Sequence, residues 1–343
     1  MSLSSPIKKR RGIQALLVLA LVAFGAIIVG CGSSDDSGDG SGAKVQLVAY
    51  STPQQAYEQA LEPAFKETDA GSGIDFSNSF GGSGDQSRAV EAGQPATFVN
   101  FALETDVTRL VKSGQVPKTW KDNKYKGIVT NSVVSIVVRP GNPKNIKSFD
   151  DLAKDGIEVV TPNPFSSGGA RWNIMAIYAD AIEQGKTKQQ ALDAVKAILK
   201  NTPAQPESAR VALQTFLGGA GDALISYENE AIAAQQAGED IEYIIPETTI
   251  LIEQPAAVTV DAPQSSVDFL DFLWSDEGQK IWAENGYRPV NPALVDKTQY
   301  PDPATKLYTI ADFGGWDKVA DEFFDEENGS IAKINEELGV EAE

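Results

Sequence analysis

The sequence contains no histidine and a single cysteine, Cys31, among its 343 residues. The absence of histidine excludes Ser–His and Cys–His nucleophile pairs and histidine metal ligands. A single cysteine excludes an internal disulfide framework. Basic residues are also scarce, since 29 Lys and Arg stand against 48 Asp and Glu and give a net charge of -19. Nucleic acid and anionic lipid surfaces are therefore poor partners for this chain.

The N-terminus has the pattern of an export signal. Four basic residues at positions 8–11 precede an apolar stretch at positions 13–29, which leads through Gly30 to Cys31. A basic start, an apolar core and small residues at a cleavage site define a signal peptide. We predict that residues 1–30 are removed and that Cys31 is lipidated, which anchors the protein to the outer, periplasmic face of the cell membrane. The alternative is an uncleaved membrane-anchor helix, because the apolar stretch is close to the minimum spanning length.

Residues 31–43 are predicted to be a flexible tether. After Cys31 they consist of Gly, Ser and Asp up to Ala43, a composition that cannot build a core. Loss of residues 1–30, which hold four basic and no acidic residues, changes the net charge from -19 to -23. About 300 residues remain, enough for one large or two medium domains.

Short apolar stretches alternate with amphipathic ones along the rest of the chain. Residues 45–49, 133–138 and 223–226 are typical of strands, and residues 104–112, 170–182 and 188–199 are typical of helices. Such alternation predicts an α/β fold with largely parallel sheets. In sheets of this kind, ligands bind beyond the carboxyl ends of strands.

Three loops rich in small residues follow predicted strands and precede predicted helices. They are Tyr50-Ser51-Thr52-Pro53, Phe80-Gly81-Gly82-Ser83-Gly84-Asp85-Gln86 and Pro164-Phe165-Ser166-Ser167-Gly168-Gly169-Ala170. The first amides of a helix are unpaired and favour negative charge, and glycine lets an anion approach them closely. One such loop alone is usually a turn and a helix cap, whereas three favour a shared anion site. The second loop lacks the Gly-Lys-Ser/Thr of a phosphate-binding loop, so no nucleotide chemistry is indicated.

Several longer motifs resemble bacterial sulfate-binding proteins over positions 45 to about 333. They are Thr161-Pro162-Asn163-Pro164, Ser166-Ser167-Gly168-Gly169-Ala170-Arg171-Trp172-Asn173, Gly81-Gly82-Ser83-Gly84, Gly221-Asp222-Ala223-Leu224-Ile225-Ser226-Tyr227-Glu228-Asn229-Glu230-Ala231 and Tyr287-Arg288-Pro289. The resemblance implies a two-lobed, periplasmic-binding-protein-like α/β fold with a ligand cleft between the lobes. It also implies a monomeric receptor, without cofactor or metal, that delivers its anion to the permease of an ABC importer. We expect lobe 1 to comprise residues 44–131 and 250–343, with the C-terminal helices, and lobe 2 to comprise residues 132–249.

The same resemblance implies the ligand contacts. Ser83 and Ser167 would contribute hydroxyls, whereas Gly168, Gly169 and Ala209 would contribute backbone amides. Two further contacts depart from the family pattern: Tyr227 stands where many members have tryptophan, and Ser51 stands where many have aspartate but where the contact is a backbone amide. Thr97 is a third departure, since an aspartate is common there.

An anion site built only of donors suits sulfate, which carries no proton at neutral pH. Hydrogen phosphate would leave a donor without an acceptor, which costs about 1–3 kcal/mol. Asp85 would reverse this argument if it pointed inward, and we expect it to point outward. Thiosulfate, phosphate and molybdate remain alternative ligands. A secreted hydrolase using Ser83 or Ser167, and a purely structural or adhesive surface lipoprotein, are more distant alternatives.

Overall fold

The computed structural model describes residues 44–340, which belong to one compact unit. The predicted signal peptide, Cys31 and the tether lie outside the described residues. Within the described part, no helix is long and apolar enough to cross a membrane.

Strands of the described part join in one mixed sheet with the order β2-β1-β3-β8-β4-β6-β5, to which β7 and β9 add at β4 and β8. The strands are β1 (Lys44–Tyr50), β2 (Asp75–Gly81), β3 (Phe98–Asn100), β4 (Ile128–Val138), β5 (Val159–Val160), β6 (Ala223–Tyr227), β7 (Glu242–Ile244), β8 (Thr248–Val258) and β9 (Lys306–Tyr308).

The expectation of a largely parallel sheet is only half right. β1 pairs in parallel with β2 and β3, and β5 with β6, as strand–helix alternation predicts. However, β4 is antiparallel to β6, β7 and β8, and β3 is antiparallel to β8. The physical reason is that β4 and β8, each 11 residues long, run in opposite directions through the middle of the sheet and join its two halves.

Helices cover the sheet between these strands. They are α1 (Gln54–Ala56), α2 (Glu62–Lys66), α3 (Ser83–Glu91), α4 (Glu104–Lys112), α5 (Phe149–Leu152), α6 (Gly168–Glu183), α7 (Lys188–Lys200), α8 (Ala209–Leu217), α9 (Glu228–Gln236), α10 (Gln264–Trp274), α11 (Asp276–Glu284), α12 (Trp316–Phe323) and α13 (Ser330–Leu338).

Two of the first helices have local features that affect where they begin. Between α1 and α2 the chain forms a π-helical turn, Tyr57–Leu61, just before Pro63. Proline has no amide hydrogen, so the preceding turn loses a regular bond there. The helix predicted to begin near Ser87 already begins at Ser83. The small-residue loop before it is therefore itself the helix start.

The hydrophobic core separates into clusters on the two halves of the sheet. One cluster joins β1 and β3 to α10 and α11 through residues such as Phe98, Phe269 and Trp282. Another joins β4 and β6 to α6 and α7 and also includes α12 and α13. In it the Trp172 and Trp316 rings meet edge-to-face with their centroids 4.6 Å apart. The C-terminal helices thus share this cluster with α6 and α7, and α12 also contacts α4.

A buried ion pair fastens the segment after α11 to the start of α9. Arg288 donates from Nε to Glu228 Oε2 at 2.6 Å and from Nη2 to Oε1 at 3.0 Å. Arg288 is 4% exposed and Glu228 is fully buried. The backbone of Arg288 also exchanges two hydrogen bonds with Asn131. This bidentate pair fixes the first residue of α9, directly after Tyr227.

We predict that Arg288→Met destabilises the protein by about 3–5 kcal/mol, because Glu228 would be left as an uncompensated buried charge. The free energy of unfolding in urea measures the effect. The double variant Glu228→Met/Arg288→Met should lose less stability than Arg288→Met alone. A loss in the double variant equal to the sum of the losses in Glu228→Met and Arg288→Met would contradict an energetic coupling between these two residues.

Candidate anion-binding site

Unpaired backbone amides at three helix starts form the framework of the site. Ser83 is the first residue of α3, Gly168 and Gly169 open α6, and Ala209 opens α8. Amides at these positions have no partner within their helix, and the helix dipole makes their surroundings favourable for an anion. Ser51 directly follows β1 and lies in a fourth loop.

The loops that carry these residues touch one another. The Gly84 amide donates to the Ser166 carbonyl at 3.2 Å, so the α3 start contacts the α6 start. The Ser166 hydroxyl donates to the Glu207 carbonyl at 2.8 Å, which connects the α6 start to the α8 start. Arg210 Nη2 donates to the Thr52 carbonyl at 2.7 Å and brings in the loop after β1. All three loops singled out in the sequence therefore meet, as predicted.

Gly169 lies at the centre of this meeting point. A Cβ atom at this position would lie 3.4 Å from each of Ser167 Oγ, Ala209 Cβ and Tyr227 Oη. Four of the seven residues predicted to bind the anion thus surround one small volume. The absence of a side chain at Gly169 keeps the backbone amides of this volume accessible.

Ser167 has a hydroxyl that is not used to cap its helix. It occupies the N-cap position of α6 with φ −102° and ψ 116°, and its side chain makes no capping hydrogen bond. By contrast, the Ser208 side chain at the start of α8 does accept from Val211 N. The Ser167 hydroxyl is therefore not used to cap α6, and its ligand role stays a prediction.

Ser83 differs from the expectation. Its hydroxyl donates to Asp106 Oδ2 at 2.5 Å and accepts from the Ala102 amide at 2.9 Å. Because a hydroxyl has one hydrogen to donate, it has none left for an anion in this arrangement. The backbone amide of Ser83, at the first position of α3, is the group that stays free. Burial raises the pKa of Asp106, while the Arg171 guanidinium and the Ser83 hydrogen bond oppose that rise.

Tyr227 ends β6 with its hydroxyl inside the protein. The residue is 1% exposed, and its hydroxyl has no hydrogen-bond partner among residues 44–340. Burial raises the pKa of Tyr227 well above its ordinary value, and Tyr287 and Glu230 add to the rise. The hydroxyl therefore stays protonated at neutral pH and can donate.

Asp85 points outward, as expected. Its side chain is 51% exposed and pairs with Arg88 at 2.5 Å. Thr97 lies away from these loops in a structural role, because its hydroxyl accepts from the Gln46 amide and from the Ser266 hydroxyl. Neither departure from the family pattern places a carboxylate in the site.

Sequence reasoning missed five groups beside the site. They are the buried polar side chains of Tyr50, Thr52, Asn229, Glu230 and Tyr287; the Tyr50, Thr52 and Tyr287 hydroxyls and Asn229 Oδ1 have no hydrogen-bond partner among the described residues, whereas Glu230 pairs with Arg210. Burial raises the pKa of Glu230, and the Arg210 guanidinium, 3.0 Å from its Oε1, opposes the rise. Tyr287 and Glu230 belong to motifs quoted for the resemblance, which was the available signal. No group of three or more potential metal-ligating side chains occurs in residues 44–340.

Known proteins resemble this chain in sequence and in fold. The model of the family described as bacterial extracellular solute-binding protein matches residues 45–288. A sulfate-binding protein of Synechococcus elongatus is 41% identical, over 91% of this chain and 92% of the relative. A thiosulfate-binding protein of Pseudomonas aeruginosa is 33% identical, over 79% of this chain and 86% of the relative. The solved structure of the sulfate-binding protein SubI from Mycobacterium tuberculosis is 44% identical, with a TM-score of 0.80, and covers 82% of this chain and 100% of that one.

The chain belongs to the bacterial extracellular solute-binding protein family. Its fold is the two-lobed, mixed α/β fold of periplasmic binding proteins, as the sequence predicted. The relatives named above are solute-binding proteins and not enzymes. The family description also places proteins of this class outside the cytoplasm.

We predict that Gly169→Ala abolishes most anion binding while the protein stays folded. The added Cβ would lie at ordinary contact distance, 3.4 Å, from its neighbours, and alanine favours a helix by about 1 kcal/mol over glycine. Calorimetric titration and thermal melting measure the two effects. Gly218→Ala is the matched control, because Gly218 lies at the C-terminal end of α8, away from the helix starts, with a φ of −70°. Full anion affinity in Gly169→Ala would show that the amides around this position do not bind the anion.

Proposed function

We propose that the protein captures sulfate outside the cytoplasm and delivers it to the permease of an ABC importer. The observation that carries this proposal is the convergence of Ser167, Gly169, Ala209 and Tyr227 on one small volume. The groups they offer there are neutral hydroxyls and backbone amides at helix starts. Neutral donors of this kind bind an oxyanion without a positive side chain.

The ligand set that we propose comprises seven residues. The backbone amides of Ser51, Ser83, Gly168, Gly169 and Ala209 and the hydroxyls of Ser167 and Tyr227 would donate to the anion. In this set Ser83 donates through its backbone amide, because its hydroxyl already donates to Asp106. A dianion without protons satisfies all these donors, which favours sulfate over anions that carry a proton.

The two lobes that we propose have β4 and β8 as their connections. The lobe 1 strands are β1, β2 and β3, and the lobe 2 strands are β5, β6 and β7. Contacts such as Gly84 N to Ser166 O and Arg210 Nη2 to Thr52 O join segments of the two lobes. Separation of the lobes would break these contacts and open the site, as in hinge closure around a ligand.

Binding rather than catalysis is the proposed activity. A serine hydrolase needs a general base beside its nucleophile. Ser83 instead donates to Asp106, a buried carboxylate that the Arg171 guanidinium faces. No basic residue pairs with Ser167 among the described hydrogen bonds and ion pairs. We propose that the receptor is monomeric and requires neither cofactor nor metal.

We predict that Ser167→Ala lowers sulfate affinity by about 10- to 100-fold, because it removes one buried donor to a charged ligand. Titration calorimetry with sulfate, thiosulfate, phosphate and molybdate measures both affinity and selectivity. Ser113→Ala, at the exposed C-terminal end of α4, is the matched control and should bind like the wild type. Phosphate binding tighter than sulfate binding would contradict the proposed ligand, and no binding of any of the four anions would contradict the receptor function.

Membrane attachment is proposed to depend on Cys31. We predict that Cys31→Ser prevents incorporation of labelled fatty acid and leaves the protein in the soluble extracytoplasmic fraction. Fractionation and immunoblotting measure the distribution. Ser34→Ala, in the same segment, is the control and should stay with the membrane. Membrane retention of Cys31→Ser would favour an uncleaved anchor helix in residues 13–29 instead.

A further inference from the structure

The loop after β3 reaches from the strands of proposed lobe 1 into the core of proposed lobe 2. Phe98 in β3 belongs to the hydrophobic cluster with α10 and α11, whereas Ala102 and Leu103, shortly after β3, belong to the cluster with α6 and α7. Ala102 and Leu103 are each 1% exposed. A Cβ at Gly168, the first residue of α6, would lie 2.9 Å from Ala102 Cβ and 2.9 Å from Leu103 Cγ. This loop therefore packs directly on a helix start that is proposed to bind the anion.

A buried hydrogen bond joins this loop to α6. Trp172 Nε1 donates to the Ala102 carbonyl at 2.8 Å, and the Trp172 side chain is fully buried. The indole also packs edge-to-face against Trp316, with an angle of 86° between the two rings. This packing holds the indole in the orientation in which its N–H meets the loop after β3.

Ser83 holds the acceptor of this bond in place. Its hydroxyl accepts from the Ala102 amide at 2.9 Å and donates to Asp106 Oδ2 at 2.5 Å. The Ser87 hydroxyl in turn donates to the Asp106 carbonyl at 2.7 Å, which connects α3 to α4. Ala102 is thus bonded through its amide to proposed lobe 1 and through its carbonyl to proposed lobe 2. The Ser83 hydroxyl, which has no hydrogen left for an anion, therefore has a structural partner next to the site.

Other hydrogen bonds between the proposed lobes lie closer to solvent. Arg88 Nη2 donates to the Phe165 carbonyl at 3.4 Å, and the Arg88 side chain is 39% exposed. Bonds near water contribute little, because water replaces them when they break, whereas the loss of one partner of a buried bond leaves the other unsatisfied. With the lobes apart, water would pair with the Trp172 N–H and with the Ala102 carbonyl. Removal of the indole N–H therefore penalises the closed arrangement specifically.

We propose that Trp172 holds the two lobes closed over the bound anion, with Ala102 as its acceptor and Ser83 as the residue that positions this acceptor. The inference rests on the proposed function and on the proposed lobes. The Trp172 N–H and the Ser83 hydroxyl determine how long the anion stays enclosed, and they do not bind it. The anion leaves after the lobes separate, so loss of this bond speeds its release. Capture by the open arrangement does not require the bond, so the association rate stays the same.

Trp172→Phe tests the proposal in the full-length protein in detergent. Stopped-flow fluorescence of the remaining tryptophans, at a series of sulfate concentrations, gives the association and dissociation rate constants. We expect dissociation of sulfate to become about 10-fold faster or more, the usual effect of one unsatisfied buried acceptor. The association rate constant should stay within about twofold of the wild-type value.

Trp282→Phe is the matched control. Trp282 in α11 is also fully buried, but its Nε1 has no hydrogen-bond partner among residues 44–340. Both variants remove the same atoms from a core, so both should lower the melting temperature without sulfate, whereas Trp172→Phe alone should speed the release of sulfate. A wild-type dissociation rate in Trp172→Phe, or the same acceleration in Trp282→Phe, would overturn this inference and leave the receptor function intact. Absence of sulfate binding in the wild type would instead overturn the proposed function.

Ser83→Ala is the second variant, and it decides the question even if Trp172→Phe does not fold. It removes the hydroxyl that bonds to the Ala102 amide and keeps the Ser83 amide that is proposed to bind the anion. We expect faster dissociation of sulfate here as well. The double variant Ser83→Ala/Trp172→Phe should show less than the product of the two single effects, because both act through the Ala102 peptide. An unchanged dissociation rate in Ser83→Ala, or effects that multiply, would overturn the positioning role of Ser83.

Discussion

Unpaired backbone amides at helix starts are the constraint on which the site depends. α3, α6 and α8 begin at loops that contact one another, and each helix leaves its first amides without intrahelical partners. Where water is excluded from these amides, they need a negative ligand as their hydrogen-bond acceptor. The helix dipoles also favour a negative ligand at these helix starts. An overall charge of -19 does not oppose this, because salt screens surface charge over about 8–10 Å while the site's own dipoles act at contact.

Glycines make the close approach of these helix starts sterically possible. A Cβ at Gly82 would lie 2.8 Å from the Ser166 carbonyl and 3.2 Å from the Glu207 carbonyl, and one at Gly168 would lie 2.9 Å from Ala102 Cβ. Side chains at these positions would therefore force the three loops apart. The same contacts join segments of the two proposed lobes, so the absence of side chains serves both the closed arrangement and the exposure of the amides. A side chain at either glycine would therefore affect both the contact between the loops and the exposure of the amides.

The sequence predicted what is locally encoded and missed what depends on distant neighbours. Small residues between a strand and a helix predicted the three loops and their meeting, because turn chemistry and helix starts are local. The start of α3 at Ser83, the antiparallel course of β4 and β8, and the packing of α12 and α13 against α6 and α7 depend on tertiary pairing. The Ser83 hydroxyl is the clearest case at the site. Its partner Asp106 lies 23 residues away, and nothing in the motif that contains Ser83 indicates that its hydrogen is already used.

Selectivity among oxyanions depends on the acceptors near the site as much as on its donors. The sequence pointed to Asp85 as the carboxylate that would reverse an all-donor argument, but Asp85 faces solvent beside Arg88. Glu230 is a second carboxylate in this region; it is fully buried and pairs with Arg210, whose Nη2 lies 3.0 Å from its Oε1. Arg210 compensates Glu230 and also donates to the Thr52 carbonyl, next to Ser51. The guanidinium that neutralises Glu230 therefore also holds the loop after β1, which carries Ser51.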